Sequence, residues 1–297
     1  MKYNKLPIKI PEQVSKLKDR GLKFENESRA QNYLSNISYY RLRAYTYPFQ
    51  DNLKENQPFN VDISFDQIIE LYVFDRKLRL FIFESIEKIE VALRTQIIYH
   101  FAIRYGSHWQ LKPELYRDQT RFIDHLESLQ KESERSNETF ISHYKSRYSY
   151  PKEPPSWMSL EVISLGLLSK IFQNLKKGPE KDAVTNHFGL KDVSILENWM
   201  LCFSTLRNIC AHHGRVWNRR LIQIKLPTHP TQSFLKNKSI YTNKLYAVVS
   251  CITYVLKIID PKSTYSDQLK GLMKTCPLAQ TKEMGFPENW LNEDLWK

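Results

Sequence analysis

The sequence predicts an all-α protein. Apolar residues recur at helical spacing along several segments, the longest running from Ser64 to Tyr105. The alternating apolar and polar pattern of strands is almost absent, and Leu221 to Leu226 is its one short candidate. The 297 residues include only 8 glycines. That is few for glycine-looped nucleotide folds or turn-rich β-sandwiches, which both consume residues that tolerate positive φ.

Residues 1–60 are predicted to form a small N-terminal helical extension, which we call the head. A first helix spans Ile10 to Gly21, where glycine closes it, and a second spans Ser28 to Ile37. Five aromatic residues and two arginines then crowd into Ser38 to Phe49, before a polar linker from Asp51 to Pro58. The head is therefore helical and rich in aromatic residues and arginine.

Residues 61–297 are predicted to form the helical core with a C-terminal tail. Its first helix begins at Ser64 and ends near Tyr105, where Gly106 supplies a natural stop. Three prolines between residues 150 and 156 then force a connector. The further predicted helices span Asp118 to Tyr148, Met158 to Leu175, Asp192 to His213 and Asn243 to Ile259.

Charge and composition narrow the function classes. The 44 basic and 32 acidic residues give a net charge of +12, which favours a polyanionic partner such as nucleic acid. No signal peptide or long uncharged apolar run is visible, so we expect a cytoplasmic protein without membrane spans. The four cysteines form no C-x-x-C pair, and P-loop, dinucleotide-fold and G-x-S-x-G motifs are missing. We expect neither a metal nor another cofactor.

The densest cluster of chemically capable side chains closes the predicted helix Asp192 to His213. It contains Arg207, Asn208, His212 and His213. An arginine that stays charged beside a histidine that exchanges protons near neutrality can support phosphodiester cleavage. In RNA the neighbouring 2′-hydroxyl is a built-in nucleophile, so no metal is required. The alternative interpretation is structural, because histidines near a helix C-terminus interact well with its carbonyls and dipole.

Helical geometry separates these side chains. Asn208 and His212 stack one turn apart on the polar face, whereas His213 falls at the edge of the apolar stripe and is predicted to face the core. On a regular helix Arg207 and His212 are separated by roughly 140°. One cleft holds all three polar residues only if it is broad, if the last turn is distorted, or if a second helix completes it.

The long first core helix carries a second candidate group. Glu87, Glu90 and Arg94 share one stripe, and Glu90 precedes Arg94 in the favourable i, i+4 order. They either form a solvated ion pair or orient Arg207 or His212 from a neighbouring helix. Both interpretations stay open at this level.

The head offers a candidate RNA-binding surface. Tyr39, Tyr40, Arg41, Arg43 and Tyr45 lie within seven residues, and aromatic rings interleaved with arginine suit base stacking and phosphate contacts. The alternative is that the tyrosines pack the head onto the core while the arginines reach water.

Phrases along nearly the whole chain carry a family resemblance. They are Ile37 to Tyr45 (ISYYRLRAY), Tyr47 to Phe49 (YPF), Leu71 to Arg79 (LYVFDRKLR), Ile86 to Arg94 (IEKIEVALR), Pro154 to Met158 (PPSWM), Arg207 to His213 (RNICAHH), Arg215 to Arg219 (RVWNR) and Met284 to Trp290 (MGFPENW). Together they resemble the Abi-like family of bacterial abortive-infection proteins, of the AbiD and AbiF type.

The resemblance implies more than the spacing shows. The family is similar to HEPN proteins, helical bundles in which an arginine, often followed by a polar residue, precedes a histidine by four to six residues and serves metal-independent RNA cleavage. Here Arg207, Asn208 and His212 match that motif, and His213 is an alternative by spacing. Because HEPN ribonucleases usually build their cleft from two motifs and this chain has one, a homodimer is implied.

The resemblance also implies an RNA substrate and control by a small structured RNA. Arg215, Trp217 and Arg219, which follow the motif, are expected to contact RNA. We therefore predict a phage-defence protein that acts as a metal-independent endoribonuclease toxin. The alternatives are a non-catalytic RNA-binding module and a protein-interaction scaffold.

Overall fold

A computed structural model describes residues 2 and 6–297 of the chain, so residues 1 and 3–5 of the predicted head lie outside it. The described residues form α-helices and short 3-10 turns with no β-strand, which confirms the all-α prediction. The α-helices are α1 Ile10–Asp19, α2 Glu27–Ile37, α3 Tyr39–Thr46, α4 Phe65–Tyr105, α5 Gln119–Arg135, α6 Thr139–Arg147, α7 Ser156–Ser159, α8 Leu165–Asn174, α9 Pro179–His187, α10 Val193–Ala211, α11 Leu245–Ile259 and α12 Tyr265–Met273.

The chain divides into two compact units. The first runs to Leu78 and includes Gly271–Gln280, and the second contains Arg79–Lys270 and Thr281–Lys297. The first unit thus extends beyond residue 60 into α4, and it gains a segment from late in the sequence. Across the described residues, none of the helices combines the length and apolar character needed to cross a membrane.

The first unit has a small core of its own. Leu17 of α1, Leu34 of α2 and Leu42 of α3 are all buried. The helix α3 lies within the aromatic stretch, where no helix was predicted. It starts because the Ser38 side chain accepts a hydrogen bond from the backbone N–H of Arg41, which caps the first turn.

The second unit is built around α10. This helix packs against α8, α9 and α11, and its apolar stripe, including Trp199 and Phe203, is buried. Residues Leu245 to Leu256 of α11 are buried without interruption. A helix that is apolar all round belongs at the centre of a core, and α11 takes that place.

Two of the predicted helices are each interrupted. The predicted helix Asp118 to Tyr148 is two helices, because Ser136 adopts an extended conformation after α5 and a new helix starts at Thr139. The predicted helix Met158 to Leu175 is α7 and α8, with Ser164 capping α8 through the backbone N–H of Leu167. At the second break the Ser164 cap outweighs the continuity of the apolar pattern, whereas α6 begins without a side-chain cap.

The candidate strand Leu221 to Leu226 is an extended segment outside any sheet. Its hydrogen bonds go elsewhere: the N–H groups of Leu221 and Ile224 donate to Asn243 and Thr242, and its carbonyls accept from side chains of α10. The candidate strand is therefore not formed, since no second strand supplies a ladder among the described residues, in agreement with the all-α prediction.

Candidate functional site

The helix α10 is anchored at its start and in its middle. The Asp192 carboxylate caps it by accepting the backbone N–H of Ser194 at 2.8 Å. One turn further on, the Asn198 amide donates to the Gln223 carbonyl at 3.1 Å and the Trp199 indole donates to the Lys225 carbonyl at 2.7 Å. These bonds hold α10 against the extended segment that follows it in the chain. They thereby help to fix the position of the C-terminal end of α10.

The C-terminal end of α10 differs from the sequence-based expectation. The helix ends at Ala211, and His212 is its C-cap. His213 adopts φ of +57°, its N–H donates to the Cys210 carbonyl at 3.1 Å, and the Gly214 N–H donates to the Ile209 carbonyl at 2.8 Å. This is a Schellman motif with histidine in the left-handed position that glycine usually occupies.

The predicted orientation of His213 towards the core is therefore wrong. The prediction assumed a regular helix up to Gly214, but the turn into the left-handed conformation carries His213 outward, and its side chain is exposed. Asn208 and His212 are exposed as well. Both histidines thus lie at the surface where α10 ends.

Two side chains of α4 contact Arg207. Its Nε lies 4.0 Å from Oε2 of Glu90, and its guanidinium lies 5.2 Å from the ring centre of Phe83. The Arg207 side chain keeps 34% of its surface exposed. A carboxylate and an aromatic face therefore orient the guanidinium while part of it stays open to an incoming anion.

Glu90 is itself fixed by Arg94. Its Oε1 accepts a hydrogen bond from Nη2 of Arg94 at 2.9 Å, and the Arg94 side chain is only 9% exposed. The same Nη2 donates to the Ile163 carbonyl at 3.0 Å, and Nη1 lies 3.7 Å from Glu161. Glu90 and Arg94 thus form a partly buried platform under Arg207.

The third member of the predicted supporting group lies apart. Glu87 is exposed on α4, and no ion pair joins it to Arg94 or Arg207 within the part of the chain that the structure describes. Sequence reasoning missed Phe83 and Glu161. Phe83 could have been found, because it precedes Glu90 by seven residues and so lies on the same face of α4 two turns away.

The basic stretch after α10 contributes exposed charge and a buried ring. Trp217 is 1% exposed, with the Arg215 guanidinium 5.8 Å from its ring centre. Arg219 is exposed and donates to the Arg215 carbonyl at 3.2 Å. Because its ring is buried, Trp217 cannot stack on a base. The structure therefore contradicts the predicted contact of Trp217 with RNA.

The predicted RNA-binding residues of the head also divide by burial. Tyr45 is 1% exposed, and its hydroxyl donates to the buried Asp75 carboxylate at 2.6 Å, so this ring is part of the core of the first unit. Tyr39 and Arg41 are half-buried, whereas Tyr40 is 85% exposed. The prediction that Tyr45 contacts RNA at the surface is therefore wrong, because Tyr45 is a core residue.

Arg43 is placed by neighbours within the head. Its Nη1 donates to the side chain of Gln57 at 3.1 Å, and its guanidinium lies 5.5 Å from the ring centre of Tyr47. The side chain is half-buried. Tyr40 and Arg43 therefore remain as the exposed ring and the oriented cation of the predicted surface.

The thiols lie away from solvent. All four cysteines are buried and reduced, and burial raises the pKa of Cys202 to about 12. Across residues 2 and 6–297, no group of three or more His, Cys, Asp or Glu side chains is arranged to hold a metal ion.

Comparison with known proteins identifies the family. A family model described as Abi-like protein matches residues 32–218, more than half of the chain. The matched range includes Glu90, Arg94 and the end of α10. No curated protein and no solved structure matches. On this match the chain belongs to the Abi-like protein family.

Proposed function

We propose that this chain is a metal-independent endoribonuclease that acts in abortive infection. Membership of the Abi-like family indicates phage defence by abortive infection. The observation that carries the enzymatic part is the support of Arg207 by Glu90 and Phe83, at the same end of α10 as the exposed Asn208 and His212. A guanidinium oriented in this way and left partly open suits a phosphodiester.

The proposed reaction uses the RNA's own nucleophile. The 2′-hydroxyl attacks the adjacent phosphorus while a histidine takes its proton, and the 5′-oxygen leaves as the P–O bond breaks and takes up a proton in turn. Arg207 stabilises the negative charge that builds on the phosphate oxygens, and Asn208 orients the substrate. The products are a 2′,3′-cyclic phosphate and a 5′-hydroxyl end.

The acid–base role is assigned to His212. It follows Asn208 by one turn, and its backbone N–H donates to the Asn208 carbonyl at 3.0 Å, so the two residues are tied together. His213 is exposed as well and has a supporting role in this proposal. Its left-handed backbone is favoured by few residues, and strain of this kind collects at functional sites.

The proposed partners are RNA and a second copy of the chain. The net charge of +12 supports RNA binding, and Arg215, Arg219, Tyr40 and Arg43 are its proposed contacts. Since the chain has one motif of the HEPN kind, a homodimer would bring two together, and light scattering should then give about twice the chain mass of 35.4 kDa. Sequencing of co-purified RNA should yield one abundant small species if a structured RNA controls the protein.

The activity is tested with purified protein and a defined RNA. Wild type should cleave it without added metal and in the presence of a chelator, with cyclic phosphate ends, and His212→Ala should not. The matched control is His229→Ala, which removes another exposed histidine. RNA binding with no cleavage by wild type would favour the non-catalytic module, and cleavage unchanged in His212→Ala would refute the site.

A further inference from the structure

Exposed cations from separate parts of the second unit gather at the start of α10. An antiparallel bridge between Tyr116 and Leu175 sets the residue after Tyr116 beside the end of α8. The turn after α8 supplies two lysines, one lysine precedes α10, and another follows it in the extended segment. We call this cluster the basic patch, and its residues, all exposed, are Arg117, Lys176, Lys177, Lys191 and Lys225.

Two lysines of the basic patch lie close to the cap of α10. The Lys225 ammonium donates to the Ser194 hydroxyl at 3.2 Å. The backbone N–H of Ser194 lowers the pKa of Asp192 most. The positive charges of Lys225 and Lys177 lower that pKa further. The two ammonium groups therefore converge on the first turn of the helix although they are far apart in sequence.

The arginine of the basic patch lies one turn further along α10. The Arg117 guanidinium is 3.5 Å from the Glu197 carboxylate, and the same carboxylate oxygen accepts a hydrogen bond from the buried Lys181 ammonium at 2.6 Å. Burial lowers the pKa of Lys181, and the positive charges of Arg117 and Lys177 add to this effect. One carboxylate oxygen is thus shared by two cations.

The lysines of the basic patch differ from the neighbouring carboxylates in their pairing. Asp118, which follows the patch arginine, lies 3.4 Å from Arg121, and Glu180 of α9 lies 3.6 Å from Arg104. Across the part of the chain that the structure describes, no carboxylate forms an ion pair with any of the four lysines of the patch. Their charges are therefore open to a polyanion.

The basic patch and the proposed catalytic residues share one face of α10. Ser194, Leu201 and Asn208 follow at intervals of seven residues, or two turns, and His212 comes one turn after Asn208. None of the four is buried, and Leu201 is 41% exposed. At a rise of about 1.5 Å per residue, Ser194 and Asn208 are separated by about 21 Å along the helix.

The segment after α10 runs back along the helix and joins the two ends of this face. The Asn198 amide donates to the Gln223 carbonyl at 3.1 Å, so the segment borders the second turn of α10. Arg219 is exposed before this point and Lys225 after it, with Ile222, 40% exposed, between them. Cations at both ends and aliphatic side chains between them suit a single strand of RNA, whose phosphates bind cations and whose bases cover apolar surface.

We infer that the exposed face of α10 binds a single-stranded stretch of the RNA substrate, and that the basic patch holds phosphates about 21 Å from the cleaved bond. The inference rests on the proposed function and specifies its substrate as single-stranded RNA long enough to span α10. Contacts with phosphates carry no sequence information. The basic patch would therefore add affinity without sequence preference.

Binding measured without cleavage tests this inference. The probe is a fluorescent single strand of about sixteen nucleotides with 2′-fluoro groups in place of the attacking hydroxyls, titrated by anisotropy between about 50 mM and about 200 mM KCl. Lys177→Gln combined with Lys225→Gln should weaken binding at least about tenfold at the lower salt concentration. The slope of log affinity against log salt should become shallower by about 1.4, or about 0.7 for each lost phosphate contact.

A second double variant and a matched control make the test specific. Lys176→Gln combined with Lys177→Gln leaves the contact with Ser194 intact and should show a similar loss of affinity. Lys131→Gln combined with Lys262→Gln removes two exposed lysines from α5 and from the turn after α11, and it should keep the wild-type affinity and slope.

The outcomes separate the binding face from the enzymatic proposal. Wild-type affinity and slope in both patch variants, once thermal melts show that they are folded, would overturn the inference. Failure of wild type to bind the probe, or tighter binding of the probe annealed to its complement, would overturn it as well. Cleavage of unmodified RNA is scored separately, so loss of binding in the patch variants supports the inference even where wild type does not cleave.

Discussion

Glu90 is shared by two arginines: one carboxylate oxygen accepts a hydrogen bond from Arg94 at 2.9 Å, and the other faces Nε of Arg207 at 4.0 Å. The two contacts differ in character. Arg94 is almost fully buried, whereas Arg207 is one-third exposed. The contact with Arg94 therefore bears on stability, and the contact with Arg207 bears on the placement of a side chain that we propose to be catalytic.

Replacement of Glu90 should separate these effects. Glu90→Gln leaves the buried Arg94 without its charged acceptor and should lower the free energy of unfolding by about 1–3 kcal/mol, measured by urea denaturation. RNA cleavage by the folded variant should fall about tenfold or more because Arg207 loses its orienting carboxylate. Glu87→Gln, on the exposed face of α4, is the control and should change neither quantity. Normal cleavage by Glu90→Gln would contradict the positioning role.

The left-handed residue at the end of α10 gives a second prediction. His213→Gly should raise the free energy of unfolding by about 0.5–1 kcal/mol, because glycine adopts φ of +57° without the steric cost that a Cβ imposes. His213→Ala keeps the Cβ and should show no such gain. Thermal melts of both variants measure the difference. A loss of stability in the glycine variant would mean that the side chain makes a contact worth more than the strain.

The cap of α10 gives a prediction about pH. The backbone N–H of Ser194, followed by its hydroxyl, holds the pKa of the Asp192 carboxyl below its usual value. The lowered pKa stabilises the fold at pH above about 4, the value in the unfolded chain. This contribution is lost as the pH falls through the lower value of the folded state.

Asp192→Ala should therefore cost about 1 kcal/mol at neutral pH, as is usual for a lost N-cap. The difference from wild type should shrink as the pH is lowered below about 4, which denaturant titrations at several pH values can follow. Asp192→Asn keeps an oxygen acceptor and should lose less. A difference that is the same at pH 3 and pH 7 would show that the charge contributes nothing.

The head allows RNA binding to be tested apart from stability. Tyr40→Ala removes an exposed ring and should weaken RNA binding several-fold while leaving the melting temperature unchanged. Tyr45→Phe removes the hydroxyl that donates to buried Asp75 and should lower stability by about 1–3 kcal/mol without changing RNA affinity. Anisotropy and thermal melts on the two variants check both outcomes. The reverse pattern would rule out the head as an RNA-binding surface.

Long-range apolar periodicity made much of the fold predictable. The start and end of α4 follow from Ser64, Gly106 and a continuous apolar seam, and the stripe of α10 that contains Trp199 and Phe203 is buried as its spacing implied. These signals depend on residues that are close in sequence. The exposed position of Asn208 could be predicted in the same way, because Asn208 lies opposite the apolar stripe of α10.

Other features depend on partners that are remote in sequence. The break between α7 and α8 exposes the Ile163 carbonyl to Arg94, 69 residues earlier, and no local pattern announces that bond. Tyr45 looked like a surface aromatic because its acceptor, Asp75, lies 30 residues away. The outward turn of His213 escaped prediction because a left-handed C-cap is expected at glycine, and here the next residue, Gly214, is the glycine.

The break between α7 and α8 also has a consequence for how the site assembles during synthesis. Arg207 and the residues that support it are synthesised in chain order. Glu90 and Arg94 come first, Ile163 follows, and Arg207 comes last. Glu90 and Ile163, the two hydrogen-bond partners of Arg94, both precede α10 in the chain. Arg207 is the last of these four residues in the chain, so its position against Glu90 can be completed only after the other three have been synthesised.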